Sequence, residues 1–220
     1  MHMNLLRRLH SDVSGAVVIE FAYCLPIFMG LGMTGIEAGN LATTNMRISQ
    51  ITMSVADNLS RAKQDVPLGL PQFREHDIND AFKGAQLQSG ALKVLDNGRI
   101  IVSSLQQNSS GGQWIFWQRC KGVSNVASAY GVQDTGKTGT AFAGMGAGAA
   151  ADKVTAPAAS SIIFVELTYT YQPLISNSFF GTKTLKTEAA FYVRDDRDLT
   201  QVYNPSPTAT VATCNLYTAT

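Results

Sequence analysis

The run Ala16–Ile36 (AVVIEFAYCLPIFMGLGMTGI) holds 21 residues and a single charge, Glu20. As a helix it spans about 30 Å, the thickness of a bilayer's hydrocarbon core, so a chain carrying it is expected to insert. Arg7 and Arg8 precede it with no acid before Asp12. That positive flank predicts that the first residues stay in the cytoplasm while the body is exported. An ordinary secretory signal places its small-residue cleavage site after the apolar run, whereas here Ser14 and Gly15 stand before it. Glu20 costs roughly 2.5–3.5 kcal/mol on insertion scales, so an acid at this place needs a compensating partner. A cut between Gly15 and Ala16 supplies one, because it frees an α-amine able to pair with Glu20 of a neighbouring subunit in a low-dielectric bundle and so set axial register.

Gly15 followed by Ala16-Val17-Val18-Ile19-Glu20-Phe21 resembles the type IV prepilin site, in which cleavage follows Gly and Glu is the fifth mature residue. The longer match, through Gly15, Glu20, Phe21, Ala22, Leu25 and Pro26, is to the TadE/TadF/TadG-like proteins of tight-adherence (Flp) pilus systems. Looser similarity extends to Trp117-Gln118-Arg119-Cys120, to Tyr169 through Leu174 and to the Arg194–Arg197 region. The resemblance implies a pilin-like α+β fold, with a long N-terminal helix packed on an antiparallel sheet, and a structural role as minor pilin or pseudopilin. It also implies an inner-membrane location with the body in the periplasm or at the cell surface. The partners would be other pilins or pseudopilins, a prepilin peptidase and a pilus-assembly platform. Gly15 and Ala16 become the processing site, and Glu20 and Phe21 the register residues. Pro26 is expected to kink the helix whether or not a filament is built. Among Gly30, Gly32, Gly35 and Gly39, only the last two stand at GxxxG spacing.

Composition agrees with an anchored assembly component and excludes other classes. Lys+Arg 17 against Asp+Glu 16 leaves a formal charge of +1, without the basic field of a nucleic-acid binder. Charged residues are only 15%, against about 25% in ordinary soluble domains. Of three cysteines, Cys24 lies in the apolar run, so Cys120 and Cys214 are expected to form the bridge if the body reaches an oxidising compartment. His2, His10 and His76 are scattered and no CxxC occurs, so neither a metal nor a cofactor is expected.

The expected organisation is a cytoplasmic leader at 1–15, a membrane segment at 16–36 and an amphipathic continuation at 37–66. An α+β domain follows at 67–204, with a Gly/Ala-rich insertion at 131–152, and then a Thr-rich tail at 205–220 that reads as mobile apart from Cys214. Ile48, Ile51, Val55 and Leu59 keep helical spacing, and Pro67 and Pro71 end the helix. Glu75–Leu87 reads as a short helix with His76 on its surface. Asn97-Gly98, between Leu92–Leu95 and Arg99–Val102, predicts a hairpin. Strands are expected at Gln113–Cys120, at Ile163–Tyr171 with one face buried, and at Leu185–Val193. Trp114 and Trp117 read as core or sheet-face residues.

Gly131 to Thr138 (GVQDTGKT) satisfies the phosphate-loop pattern, but the mechanism needs a strand before it and a helix after it, and neither is legible. Arg194 and Arg197 neutralise Asp195, Asp196 and Asp198, so a solvated or salt-bridged face is expected there rather than a calcium loop. No catalytic constellation stands out, and no enzyme is expected. The alternative to a pilus subunit is an uncleaved, signal-anchored envelope binding protein that does not polymerise.

Overall fold

The computed structural model describes residues 14–176, 181–194 and 196–219. The expected leader, apart from its last two residues, and Asp195 lie outside them. One helix, α1 (Ser14–Arg61), dominates the chain, and a second, α2 (Glu75–Ser89), packs on it. Four strands, β1 (Gly98–Gln107), β2 (Gln113–Lys121), β3 (Ser161–Thr170) and β4 (Thr184–Tyr192), form one antiparallel sheet in the order β2-β1-β3-β4. The chain is therefore α+β.

α1 has two halves with opposite surroundings. From Gly15 to Ile36 every residue is exposed, the apolar ones included. From Glu37 onward a stripe turns inward, and Ile48, Ile51, Val55, Ala56 and Leu59 are at most 2% exposed. This half lies along β4 and β3 in the direction of β4. Glu37 sits by Tyr171 beyond the end of β3, Thr52 Oγ1 lies 2.6 Å from Thr187 Oγ1, and the Arg194 N–H reaches the Ser60 carbonyl. The helix runs through Pro26 and ends at Arg61, five residues short of the expected 66. Arg197 closes it, donating to the carbonyls of Leu59 at 2.8 Å and Ala62 at 2.6 Å, while its guanidinium covers the Phe73 ring at 4.2 Å. These are last-turn acceptors that the helix itself cannot satisfy. Arg194 and Asp196 are exposed as a solvated or salt-bridged face requires, with Arg194 3.9 Å from Asp57, whereas Arg197 is only 6% exposed and departs from that expectation.

α2 starts where the Arg74 backbone N–H donates to Asp77 Oδ2 at 2.9 Å, and it buries Ile78, Phe82 and Ala85 at four- and three-residue steps. The expected first strand of the hairpin is absent. Gly90–Leu92 forms a short 3-10 turn, Lys93 takes a left-handed φ of 48°, and Val94 and Leu95 plug the core. A short apolar run such as LKVL suits a plug as well as a strand. Gly98 serves a close approach rather than a hairpin turn, since a Cβ there would lie 2.4 Å from the Thr168 carbonyl oxygen.

Both faces of β1 and β3 are covered, which corrects the expectation that β3 has one buried face. Ile163, Val165, Leu167 and Tyr169 pack toward the helices, together with Ile100, Val102 and Trp117. On the other face Ile162, Phe164, Leu105 and Ile115 meet Met145 and Ala156 from the long connection between β2 and β3. The Gly/Ala-rich insertion is thus part of a lid. Its docking is polar as well. Ser128 Oγ donates to Glu166 at 2.6 Å, the Ala129 N–H to the same carboxylate at 2.8 Å, and Tyr130 Oη to Glu188 at 2.6 Å. Burial pushes the Glu166 carboxyl above the usual range, and the two donors pull it back.

The tail is also held. The Cys120 N–H donates to the Ala212 carbonyl at 2.8 Å and the Gly122 N–H to that of Thr218 at 2.9 Å, so the tail covers the outer edge of β2. Arg99, 1% exposed, donates to the carbonyls of Cys214 at 2.6 Å and Leu216 at 3.1 Å and lies under the Tyr217 ring. Cys120 and Cys214 are bonded, 94 residues apart in sequence. Replacing both with serine is expected to cost about 2–4 kcal/mol, read by chemical denaturation, and to expose the tail to protease.

Candidate functional site

The residues expected to act in anchoring and assembly all lie on the exposed half of α1. Gly15 and Ala16 occupy its first turn, and Glu20, Phe21 and Pro26 follow, none packed against the head. The helix is long and apolar enough to cross a membrane, with a mean hydropathy of 1.8 in its best window and none of that window buried. Glu20 meets no partner among the described residues. Cys24 is a free, exposed thiol.

The exposed half ends abruptly at Glu37, 3% exposed, whose carboxylate is a latch between helix and sheet. Tyr171 Oη donates to Oε1 at 2.5 Å, and the backbone N–H groups of Leu174 and Ile175 donate to Oε2 at 3.1 and 3.3 Å. Asn40 Nδ2 donates in turn to Tyr171 Oη at 2.6 Å. Burial, and then the adjoining Glu37 carboxylate, push the Tyr171 phenol above its ordinary value, which keeps it a donor. The latch fixes where the exposed helix leaves the head. Tyr171→Phe leaves a buried carboxylate oxygen short of a donor and is expected to cost about 1–3 kcal/mol, with faster hydrogen exchange at Leu174 and Ile175.

The second polar anchor holds α2 to the sheet. Arg119 Nε donates to both Glu75 carboxylate oxygens at 3.0 Å, and Nη2 makes a further short bond to Oε1. Their side chains are 13% and 3% exposed. Nearby, Phe73 stacks on Trp117 at 5.5 Å between centroids.

Residue-by-residue reading missed Glu37, Glu75, Arg99 and the capping role of Arg197. The segments singled out for resemblance, around Arg119, Tyr171 and Arg197, are where several of these contacts converge, and that was the available signal. The phosphate-loop match adopts no phosphate cradle. Gln133–Gly136 forms a turn against β2, Lys137 is exposed and paired with Asp134 at 3.2 Å, and no helix follows directly. Asp198 accepts from Thr200 and Tyr203, which hold its carboxyl below the usual range, and no metal-binding cluster occurs among the described residues. His76 is exposed, as expected. No family model, no curated protein and no solved structure matches this chain.

Proposed function

We propose that this protein is a membrane-anchored assembly subunit, a minor pilin or pseudopilin of a tight-adherence type pilus or related secretion machine. One observation carries the reading: a single helix in which Gly15–Ile36 are wholly exposed and predominantly apolar, with Glu20 the one charge, and whose remainder is the central support of the head. Such a helix transmits the position of its anchor rigidly to the sheet, which suits a subunit stacked by its N-terminus and a pilin-like plan.

The outward surface of α1 supports the same reading. Gly32, Gly35, Gly39, Ala42, Met46 and Met53 are exposed and stand at steps of three, four or seven residues along one side. Small residues at this spacing allow a neighbouring helix to approach closely. Glu20 near the start of the anchor is the acid that a freed amine at Ala16 of the next subunit would neutralise, after a prepilin peptidase cuts behind Gly15. Arg7 and Arg8 before the anchor favour a head outside the cytoplasm, and a disulfide is in keeping with that.

The test of location is protease access in a producing bacterial cell. The full chain is expected to resist carbonate extraction from the inner membrane, and its head to be digested when protease is added to spheroplasts. A head protected until the inner membrane is lysed would overturn the orientation.

A further inference from the structure

At the end of the sheet farthest from the Glu37 latch, a groove of about 370 Å³ opens beside Gln106, Trp114, Ser160 and Thr200. Gln106 lies opposite Ser161, the first residue of β3, ten positions before Tyr171. At strand rise that separates groove and latch by roughly 33 Å, so the groove belongs to the tip of the head.

Its chemistry is distinctive. Trp114 and Phe116 meet edge to face with ring centroids 4.9 Å apart. Gln106 and Gln107 donate through their amide nitrogens to the carbonyls of Leu199 at 3.0 Å and Gly111 at 3.1 Å. Those bonds orient both amides and leave their Oε1 atoms without a donor among the described residues. The indole N–H of Trp114 is buried and meets no acceptor among the described residues. No lining residue is charged, and Lys137, 5.9 Å from the Trp114 ring, is already paired with Asp134.

An aromatic pair for C–H faces and two oriented amide oxygens for donors match a ligand whose hydroxyls donate around an apolar ring face. The missing charge disfavours phosphates and acidic groups. An extended peptide finds no strand edge, because the outer N–H and C=O of Ile115 are taken by Thr135 and Asp134. We propose that this groove binds a neutral saccharide, with Trp114 as its platform and the Gln106 and Gln107 amide oxygens as hydrogen-bond acceptors. The assignment goes beyond the assembly role and would stand for a non-polymerising protein too.

The test uses the full chain in an amine-oxide detergent, which carries no sugar headgroup. It is screened against immobilised neutral and acidic glycans and a proline-rich peptide, then titrated with neutral cello-, malto- and chito-oligosaccharides. Saturable binding of a neutral glycan is expected, weakened about tenfold or more by Trp114→Ala. Trp114→Phe, which keeps a smaller aromatic platform, is expected to weaken it less than Trp114→Ala at an unchanged melting temperature. Absence of neutral-glycan binding, binding only of acidic glycans or of the peptide, or an affinity of Trp114→Ala equal to that of the unaltered chain would overturn the proposal.

Discussion

Arg119→Met is expected to destabilise the head by about 3–5 kcal/mol, because it leaves the Glu75 carboxylate buried without its counter-charge. Glu75 is 3% exposed and stands at the first residue of α2, where the Arg119 guanidinium meets both of its oxygens. An exposed ion pair would contribute at most about 1 kcal/mol, so the predicted size follows from burial and not from charge alone. Glu75→Gln should cost less, since the amide oxygen still accepts one guanidinium bond. The double variant Glu75→Leu with Arg119→Met should recover most of the loss, because neither charge is then stranded. Denaturant titration of the detergent-solubilised chain reads all three. Equal destabilisation in the double and single variants would show that packing, not the charge pair, dominates.

Glu20→Ala is expected to abolish incorporation into filaments while leaving the head as stable as before. The side chain touches nothing in the head, so no folded contact is lost. Removing an acid from the apolar segment relieves roughly 2.5–3.5 kcal/mol of insertion cost, so anchoring should improve. Lost assembly would therefore report on pairing between subunits. The readout is the fraction of chain in sheared filaments against the fraction in the membrane, with the thermal midpoint of the head as control. Normal assembly of Glu20→Ala would remove the register role.

The elements that were legible in the sequence are those whose periodicity is long or clean. Ile48 through Leu59 announced the inward stripe of α1, Ile78 and Phe82 that of α2, and the alternating residues of β3 and β4 their strands. The failures have physical causes. Leu92–Leu95 reads like a strand because a short apolar run serves a plug, here the adjacent Val94 and Leu95, as well as it serves a strand. β3 was read as half-buried because the lid over its second face is rich in Gly and Ala and carries little hydrophobic signal. Arg99 and Arg197 were invisible as core residues because their acceptors are backbone carbonyls, 115 and 117 residues away for Arg99 and 135 and 138 for Arg197. Glu37 and Tyr171 are likewise 134 residues apart. The anchor was legible because its message is composition over a contiguous run. The latch that ends it was not, because its donors come from the far side of the fold.

The most direct test of a prepilin-like anchor is the intact mass of membrane-purified chain from cells with and without a prepilin peptidase. A chain beginning at Ala16 when the peptidase is present, and retaining the residues before it when the peptidase is absent, is the predicted result. A chain uncut before Ala16 in both would contradict it, removing the freed amine and with it the partner assigned to Glu20.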